Sequence, residues 1–170
     1  IENGEELGHW EADLVIGKKS GKDQVLLTLA ERKSRQYWML PIKDREADSV
    51  MNAFKKLQET YSEHFSEVFK TITTDNGSEF SRLSELEELA ETLVYFTHPY
   101  TSCEKGTNER HNGIIRRFIP KGKRISDFDM DEISNIEVWC NSLPRKILGY
   151  RTPDEVFEDE LDCIYRQLAS

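Results

Sequence analysis

Long apolar runs are missing from this 170-residue chain. None approaches the roughly 20 residues that a membrane-spanning helix requires, so no membrane partner is expected. The opening Ile1-Glu2-Asn3-Gly4-Glu5-Glu6 lacks a basic segment followed by an apolar one, which excludes a secretory signal. A chain that begins with Ile rather than Met reads as a piece of something longer. Cysteine is scarce: Cys103, Cys140 and Cys163 are odd in number and widely spaced. They fit neither a disulfide framework nor a zinc site, which points to a reducing cytoplasm. His9, His64, His98 and His111 form no metal-ligand pair at helical spacing. A phosphate-cradling glycine loop and a Gly-x-Ser-x-Gly elbow are both lacking, which removes two common catalytic frameworks. Positive charge is also in short supply. With 23 basic and 32 acidic residues the net charge is −9, which argues against a general nucleic-acid binder.

What basic charge exists is concentrated. Residues 105–124 carry seven basic side chains (Lys105, Arg110, Arg116, Arg117, Lys121, Lys123, Arg124) against the single acid Glu109, a local balance of +6. Acidic character collects at Glu85–Glu91 and Asp154–Asp162. The length favours one domain over 1–170, with a leader at 1–7 and a C-terminal tail, 143–170, packing on the core.

Periodicity predicts the elements. Residues 9–17 alternate, with Trp10, Ala12, Leu14 and Ile16 on one face and Glu11, Asp13 and Val15 on the other. Val25–Ala30 and Gln36–Pro41 continue a meander of three antiparallel strands. A helix follows over Asp44–Tyr61, then strands at Val68–Thr74 and Leu93–Phe96. A helix between them covers roughly Ser81–Glu91, where Ser84 and Glu87 resemble a capping box. Further helices are expected at Thr107–Ile119, at Met130–Asn141 and, shortly, at Thr152–Phe157. The order β-β-β-α-β-α-β-α-α is that of an α/β fold: a five-stranded mixed sheet, three antiparallel strands plus two, with helices on both faces.

Three acids stand in unusual settings. Asp13 interrupts an apolar strand, Asp75 ends another, and Glu109 lies on the helix of the basic segment, 34 positions after Asp75. Converging carboxylates repel one another unless something cationic holds them ionised. Oxygen-only ligands suit Mg2+ or Mn2+, so the trio reads as a two-metal phosphoryl-transfer centre. At about 100° per residue, Lys105, Glu109, Asn112, Gly113 and Arg116 share one helix face. His111, Ile114, Ile115 and Phe118 occupy the other, where they can pack on the sheet.

Four stretches carry a resemblance. Gly8-His9-Trp10-Glu11-Ala12-Asp13-Leu14, Thr74-Asp75-Asn76-Gly77-Ser78-Glu79-Phe80, Gly106-Thr107-Asn108-Glu109-Arg110-His111-Asn112-Gly113 and Pro144–Pro153 occur in that order. Together with the spacing from Asp75 to Glu109 they make the chain similar to the catalytic (integrase-core) domain of bacterial DDE transposases of the IS-thirty type. The resemblance implies a ribonuclease-H-like fold shared with retroviral integrases. Asp13, Asp75 and Glu109 then map onto the catalytic metal ligands, holding two Mg2+ ions for which Mn2+ can substitute. It also implies DNA strand cleavage to a 3′-OH, followed by strand transfer during transposition. The partners implied are element ends and target DNA, in a homodimer or larger synaptic assembly in the bacterial cytoplasm, associated with the nucleoid. A helix-turn-helix part that reads the element ends is expected before this segment and absent from it. Lys105, Asn108, Asn112, Arg116, Arg117 and Lys121 are the expected nucleic-acid-binding residues. Cys103, Lys105 and Arg110 depart from the family's usual aromatic, Arg and Asn.

Two rival functions fit the same sequence: a ribonuclease-H-like nuclease acting on hybrids or junctions, and a non-cleaving DNA-binding or assembly module. Glu79 reads as an exposed helix-start acid or a group behind the site. Trp10 and Trp38 read as core.

Overall fold

A computed structural model of the chain describes residues 5–18, 23–97 and 106–167, with side chains in the last stretch described from Arg110 onward. Its centre is a five-stranded sheet of order β3-β2-β1-β4-β5. The strands are β1 (His9–Ile16), β2 (Val25–Glu31), β3 (Tyr37–Ile42), β4 (Thr71–Thr74) and β5 (Leu93–Phe96). The first three are antiparallel, and β4 and β5 run parallel to β1. The helices are α1 (Ala47–Tyr61), the single-turn α2 (Phe65–Val68), α3 (Glu85–Ala90), α4 (Gly106–Phe118), α5 (Met130–Asn141) and α6 (Pro153–Gln167).

The alternation in β1 sorts side chains onto two separate cores, one per sheet face. Trp10 and Ala12 join Leu27, Leu29, Phe54, Phe69, Ile72 and Phe157, with Leu14 and Ile16 packed alongside. Val15 faces the opposite side with Leu26, Tyr37, Met39, Ile115, Ile119, Ile133 and Cys140. Every residue of β2 is buried. Covered on both faces, that strand reads as the continuous run Val-Leu-Leu-Thr-Leu-Ala-Glu instead of an alternating one. Helices α1 and α6 contribute to the first core, and α4 and α5 to the second.

The exposed edge of β3 is closed by side chains. Asn141 on α5 accepts from the Tyr37 amide at 2.9 Å and donates to its carbonyl at 2.8 Å, copying a neighbouring strand. Glu137, one turn earlier, accepts from the Met39 amide at 2.7 Å. Unpaired edges invite pairing with other chains, and such caps remove the invitation. A capping box sets the start of α5: Glu132 N donates to Asp129 at 2.7 Å, and Asp129 N to Glu132 at 2.9 Å.

Burial pushes the Glu137 carboxyl above its ordinary value, with Asp154 adding to the rise and the Met39 hydrogen bond opposing it. The folded chain therefore holds this proton more tightly than the unfolded one. The stability linked to it falls as pH climbs out of the carboxylate range. Glu137→Gln keeps an acceptor for Met39 and carries no charge. The variant is expected to melt above the parent at pH 7 to 8, with the gap closing near pH 4. A melting series across that range checks it, and a gap that widens in acid would contradict it.

Several elements differ from the periodicity. Strand β4 spans four residues because α2 takes up Phe65–Val68. Helix α3 begins at Glu85, and Ser84 makes no side-chain cap; Glu87 instead accepts from the Val94 amide at 3.0 Å, tying α3 to β5. Helix α6 runs to Gln167 because Phe157, Leu161 and Ile164 recur on its buried side among many acids. Among the described residues, no helix is long and apolar enough to cross a membrane.

Candidate active site

Strand register aligns β1, which carries Asp13, with β4, which precedes Asp75. Parallel pairing sets His9 beside Thr71, Trp10 beside Ile72 and Glu11 beside Thr73, a constant offset of 62 positions (71 minus 9). The ladder ends there, two positions short of Asp13 and Asp75, which are separated by the same 62 positions (75 minus 13). Side chains on adjacent parallel strands at matched positions point to the same face. For Asp13 it is the face of Val15, covered by α4 and α5.

Both carboxylates are anchored. Asp13 Oδ1 accepts from the Leu14 amide at 2.9 Å, and its Oδ2 accepts from Asn112 Nδ2 at 2.9 Å. Asp75 Oδ1 accepts from the Gly77 amide at 3.0 Å, a turn in which the side chain closes on the backbone two residues ahead. Gly77 has no room for a side chain. A Cβ there would stand 2.6 Å from Glu79 Oε2 and 2.9 Å from Asp75 Oδ1. Glu79 is thus folded back over the Asp75 turn, its side chain only 14% exposed and ion-paired with Arg45 at 3.6 Å. The expectation of an exposed helix-start acid is corrected here: the tight Asp75–Gly77 turn draws the carboxylate inward.

Asn112 sets the rotation of α4. Its contact with Asp13 places that side of the helix on the sheet, together with the buried His111 and Ile115. Position 109 lies one helical turn earlier on the same side, since residues three apart are neighbours on a helix surface. The Glu109 side chain itself lies outside the described residues, as do those of Lys105 and Asn108. Among the described residues, no three His, Cys, Asp or Glu side chains gather into a metal-holding group. Phe118 is 41% exposed and meets Trp139 edge-on at 5.3 Å, away from the sheet. The contact side of α4 is rotated toward Asn112 and Arg116, which leaves Phe118 at its margin.

The expected nucleic-acid residues divide into two groups. Arg116 turns inward and donates to the Ile16 carbonyl at 2.9 Å, and burial pulls its guanidinium below the ordinary value. Asn112 is engaged with Asp13. Arg117 and Lys121 are exposed, and so are Lys123 and Arg124 of the basic run, which were not among the expected residues. Their loop is fixed to the sheet, because Asp23 accepts from the Ile125 amide at 2.8 Å and from the Ser126 hydroxyl at 2.8 Å. Gly17 lets it approach: a Cβ at that position would lie 2.3 Å from the Lys123 carbonyl oxygen.

This sheet, with an aspartate within β1 and another after β4, is matched over residues 4–102 by the family model of the integrase core domain. The chain belongs to that family. The matched span of this integrase core includes Asp13 and Asp75 and ends before Glu109. Relatives cover almost all of the chain. The probable transposase for insertion-like sequence element IS1161 of Streptococcus salivarius is 37% identical over 93% of this chain and 44% of its own length. The transposase for insertion sequence element IS4351 of Bacteroides fragilis is 37% identical over 93% of this chain and 47% of its own. Transposase InsI for insertion sequence element IS30A of Escherichia coli K12 is 35% identical over 93% of this chain and 40% of its own. The integrase core therefore spans about half the length of the curated relatives it matches, and the resemblance to the IS-thirty type holds over that half. The fold is that of retroviral integrase cores. The catalytic core of BIV integrase superposes with a TM-score of 0.66 at 19% identity, covering 92% of this chain and 97% of that one. The HTLV-2 integrase catalytic core in complex with magnesium gives 0.63 at 17% identity, covering 88% and 95%.

Sequence reasoning missed Tyr37. It was assigned to a strand, yet its hydroxyl donates to Asn112 Oδ1 at 3.1 Å. The only signal available was a tyrosine at a buried strand position, where phenylalanine would fill the same space.

Proposed function

We propose that this integrase core is the catalytic domain of a transposase that cuts DNA to a 3′-OH and then transfers that end to a second phosphodiester. In the first step water attacks the scissile phosphorus and the 3′-oxygen leaves. In the second the freed 3′-OH is the nucleophile, and another 3′-oxygen leaves in its turn. The observation that carries this reading is the parallel pairing of β1, which holds Asp13, with β4, which leads into Asp75. Its support is the family match, the transposase relatives and the contact of α4 with Asp13 through Asn112.

The donor set fits hard divalent cations: the carboxylates of Asp13 within β1 and Asp75 just after β4, with Glu109 of α4 as the proposed third. In this reading Asp13, Asp75 and Glu109 hold two Mg2+ ions, or Mn2+ in their place. Bound there, the ions supply activation of an attacking oxygen and stabilisation of a leaving one. The protein's own residues fix the geometry. Leu14 and Asn112 orient Asp13, the Gly77 amide orients Asp75, and Arg45 balances part of the charge that Glu79 adds beside it. Arg117, Lys121, Lys123 and Arg124 would steady the phosphate backbone, as exposed basic side chains do in nucleic-acid complexes. Element ends and target DNA are the proposed partners, handled by a dimer or larger assembly in the bacterial cytoplasm.

A Mn2+ titration followed by melting temperature tests the site. At a hundred times the dissociation constant, binding adds about 2.7 kcal/mol, which for a domain of this size is a rise of roughly 5–11 °C. Asp75→Asn should show no such rise. An equal response in parent and variant would remove Asp75 from the metal site.

A further inference from the structure

Tyr37 lies two strands away from Asp13, with β2 between them, and is fully buried. It is held at both ends. Asn141 binds its backbone amide and carbonyl, and its ring stacks on His111 at 4.5 Å with the planes only 6° apart. From there the hydroxyl reaches Asn112 Oδ1 at 3.1 Å, and Asn112 Nδ2 reaches Asp13 Oδ2 at 2.9 Å. Burying a hydroxyl is costly unless it finds a partner. Packing alone would be served as well by phenylalanine, so the oxygen calls for its own explanation.

The polarity of the chain is fixed by chemistry at each link. An ionised carboxylate only accepts hydrogen bonds, so Asn112 must turn its NH2 toward Asp13. That leaves the Asn112 carbonyl facing Tyr37, and the phenol must donate. Burial holds the phenol proton on well above the ordinary tyrosine range, with a Thr28 hydrogen bond only partly offsetting it, so the donor persists at any working pH. Were the amide reversed, an NH2 would face the phenol oxygen and the Asn112 oxygen would face the Asp13 carboxylate. The carboxylate thus sets which way the amide faces, and the phenol, donating to the outward Asn112 oxygen, reinforces that orientation.

We propose that Tyr37 is a positioning residue for the Asp13 carboxylate, acting through Asn112 to lock the orientation in which that carboxylate meets a divalent ion. The inference rests on the metal-ligand reading of Asp13 given above. The same link also bears on the rotation of α4, whose Asn112 carries it. Partners of this kind behind a metal ligand typically govern affinity by 10- to 100-fold.

Mn2+ affinity, measured by calorimetry on the parent, Tyr37→Phe, Asn112→Leu and the double variant, tests the proposal. Tyr37→Phe keeps the ring and is expected to bind Mn2+ about tenfold or more weakly. Asn112→Leu should lose at least as much, and adding Tyr37→Phe to it should lose no more, because in a serial link the phenol acts only through the amide. The unliganded melting temperatures, read alongside, isolate a purely structural role, which would lower them while leaving the ion affinity unchanged. Unchanged affinity in Tyr37→Phe, or a further loss in the double variant, overturns the proposal. Should Tyr37→Phe not fold, Asn112→Leu decides it alone: undiminished affinity there overturns the link. A parent that binds no Mn2+ defeats the metal-site reading itself. Binding that is lost in Asp75→Asn but insensitive to Tyr37 defeats only the link.

Discussion

Under the proposed reading, Asp13→Asn reduces strand cleavage by roughly a thousandfold. The figure follows from the several kcal/mol of transition-state charge stabilisation that a bound divalent ion supplies, at 1.36 kcal/mol per tenfold in rate. The substitution preserves shape, so the loss is one of chemistry. An amide offers one accepting oxygen where the carboxylate offers two. Asp13 uses both, one for the Leu14 amide and one for Asn112. In the variant one of those donors meets an NH2 instead. The remaining oxygen is neutral and a poor ligand for a hard cation. A labelled oligonucleotide carrying an element end, incubated with the full-length protein and Mn2+, reports the 3′-OH product directly. Activity within tenfold of the parent would take Asp13 out of the reaction. The unliganded variant should melt within a few degrees of the parent, which separates a chemical loss from an unfolded chain.

The largest loss of stability is expected at Trp10, three residues before that aspartate. Its indole is fully buried, and its Nε1 donates to the Val68 carbonyl at 2.7 Å. Phe69 stacks on the ring at 4.8 Å, Trp38 lies tilted at 4.5 Å, and Phe157 of α6 meets it edge-on at 5.9 Å. Truncating such a side chain to alanine costs about 3–5 kcal/mol, from lost transfer energy and the cavity left behind. For a domain of this size that is a fall of roughly 6–20 °C in melting temperature. Trp10→Phe restores most of the apolar volume but leaves the Val68 carbonyl without its donor, and should fall between the two. A drop of only a degree or two in Trp10→Ala would mean that the cluster collapses around the gap, or that Trp10 is not its keystone. Because Phe157 belongs to the cluster, the alanine variant should also loosen α6, seen as faster amide exchange along that helix.

The strength of the sequence reading followed how local the governing interaction was. Strand β1 was legible because one of its faces is apolar and the other carries Glu11 and Asp13, so the alternation survives in the chain itself. Helix α5 was read to the residue, its start fixed by Asp129 and Glu132 three apart. Helix α6 was cut short at Phe157, because Glu158, Asp159, Glu160 and Asp162 mask an apolar stripe that continues through Leu161 and Ile164. Ser84 and Glu87 had the spacing of a capping box, but Glu87 is claimed by the Val94 amide, a partner supplied by β5. The same divide runs through the site. Asp13 and Asp75 were singled out by their flanking motifs, and the structure sets the strand that holds one beside the strand that leads into the other. Asn112 was assigned to nucleic acid on the basis of the family resemblance, and the fold sets it against Asp13. Tyr37 could not be assigned a role at all, since its link to Asn112 joins positions 75 apart and exists only once α4 lies across the sheet.

The closure of the β3 edge bears on how this protein behaves when crowded. Strands with spare amides recruit their like, and stacking edge upon edge is one route to fibrous deposits. Here the outward amides of Tyr37 and Met39 are already answered from α5. A second molecule approaching that side would find no ladder to extend, so growth of the sheet into a continuous ribbon is blocked at that end by three side-chain hydrogen bonds.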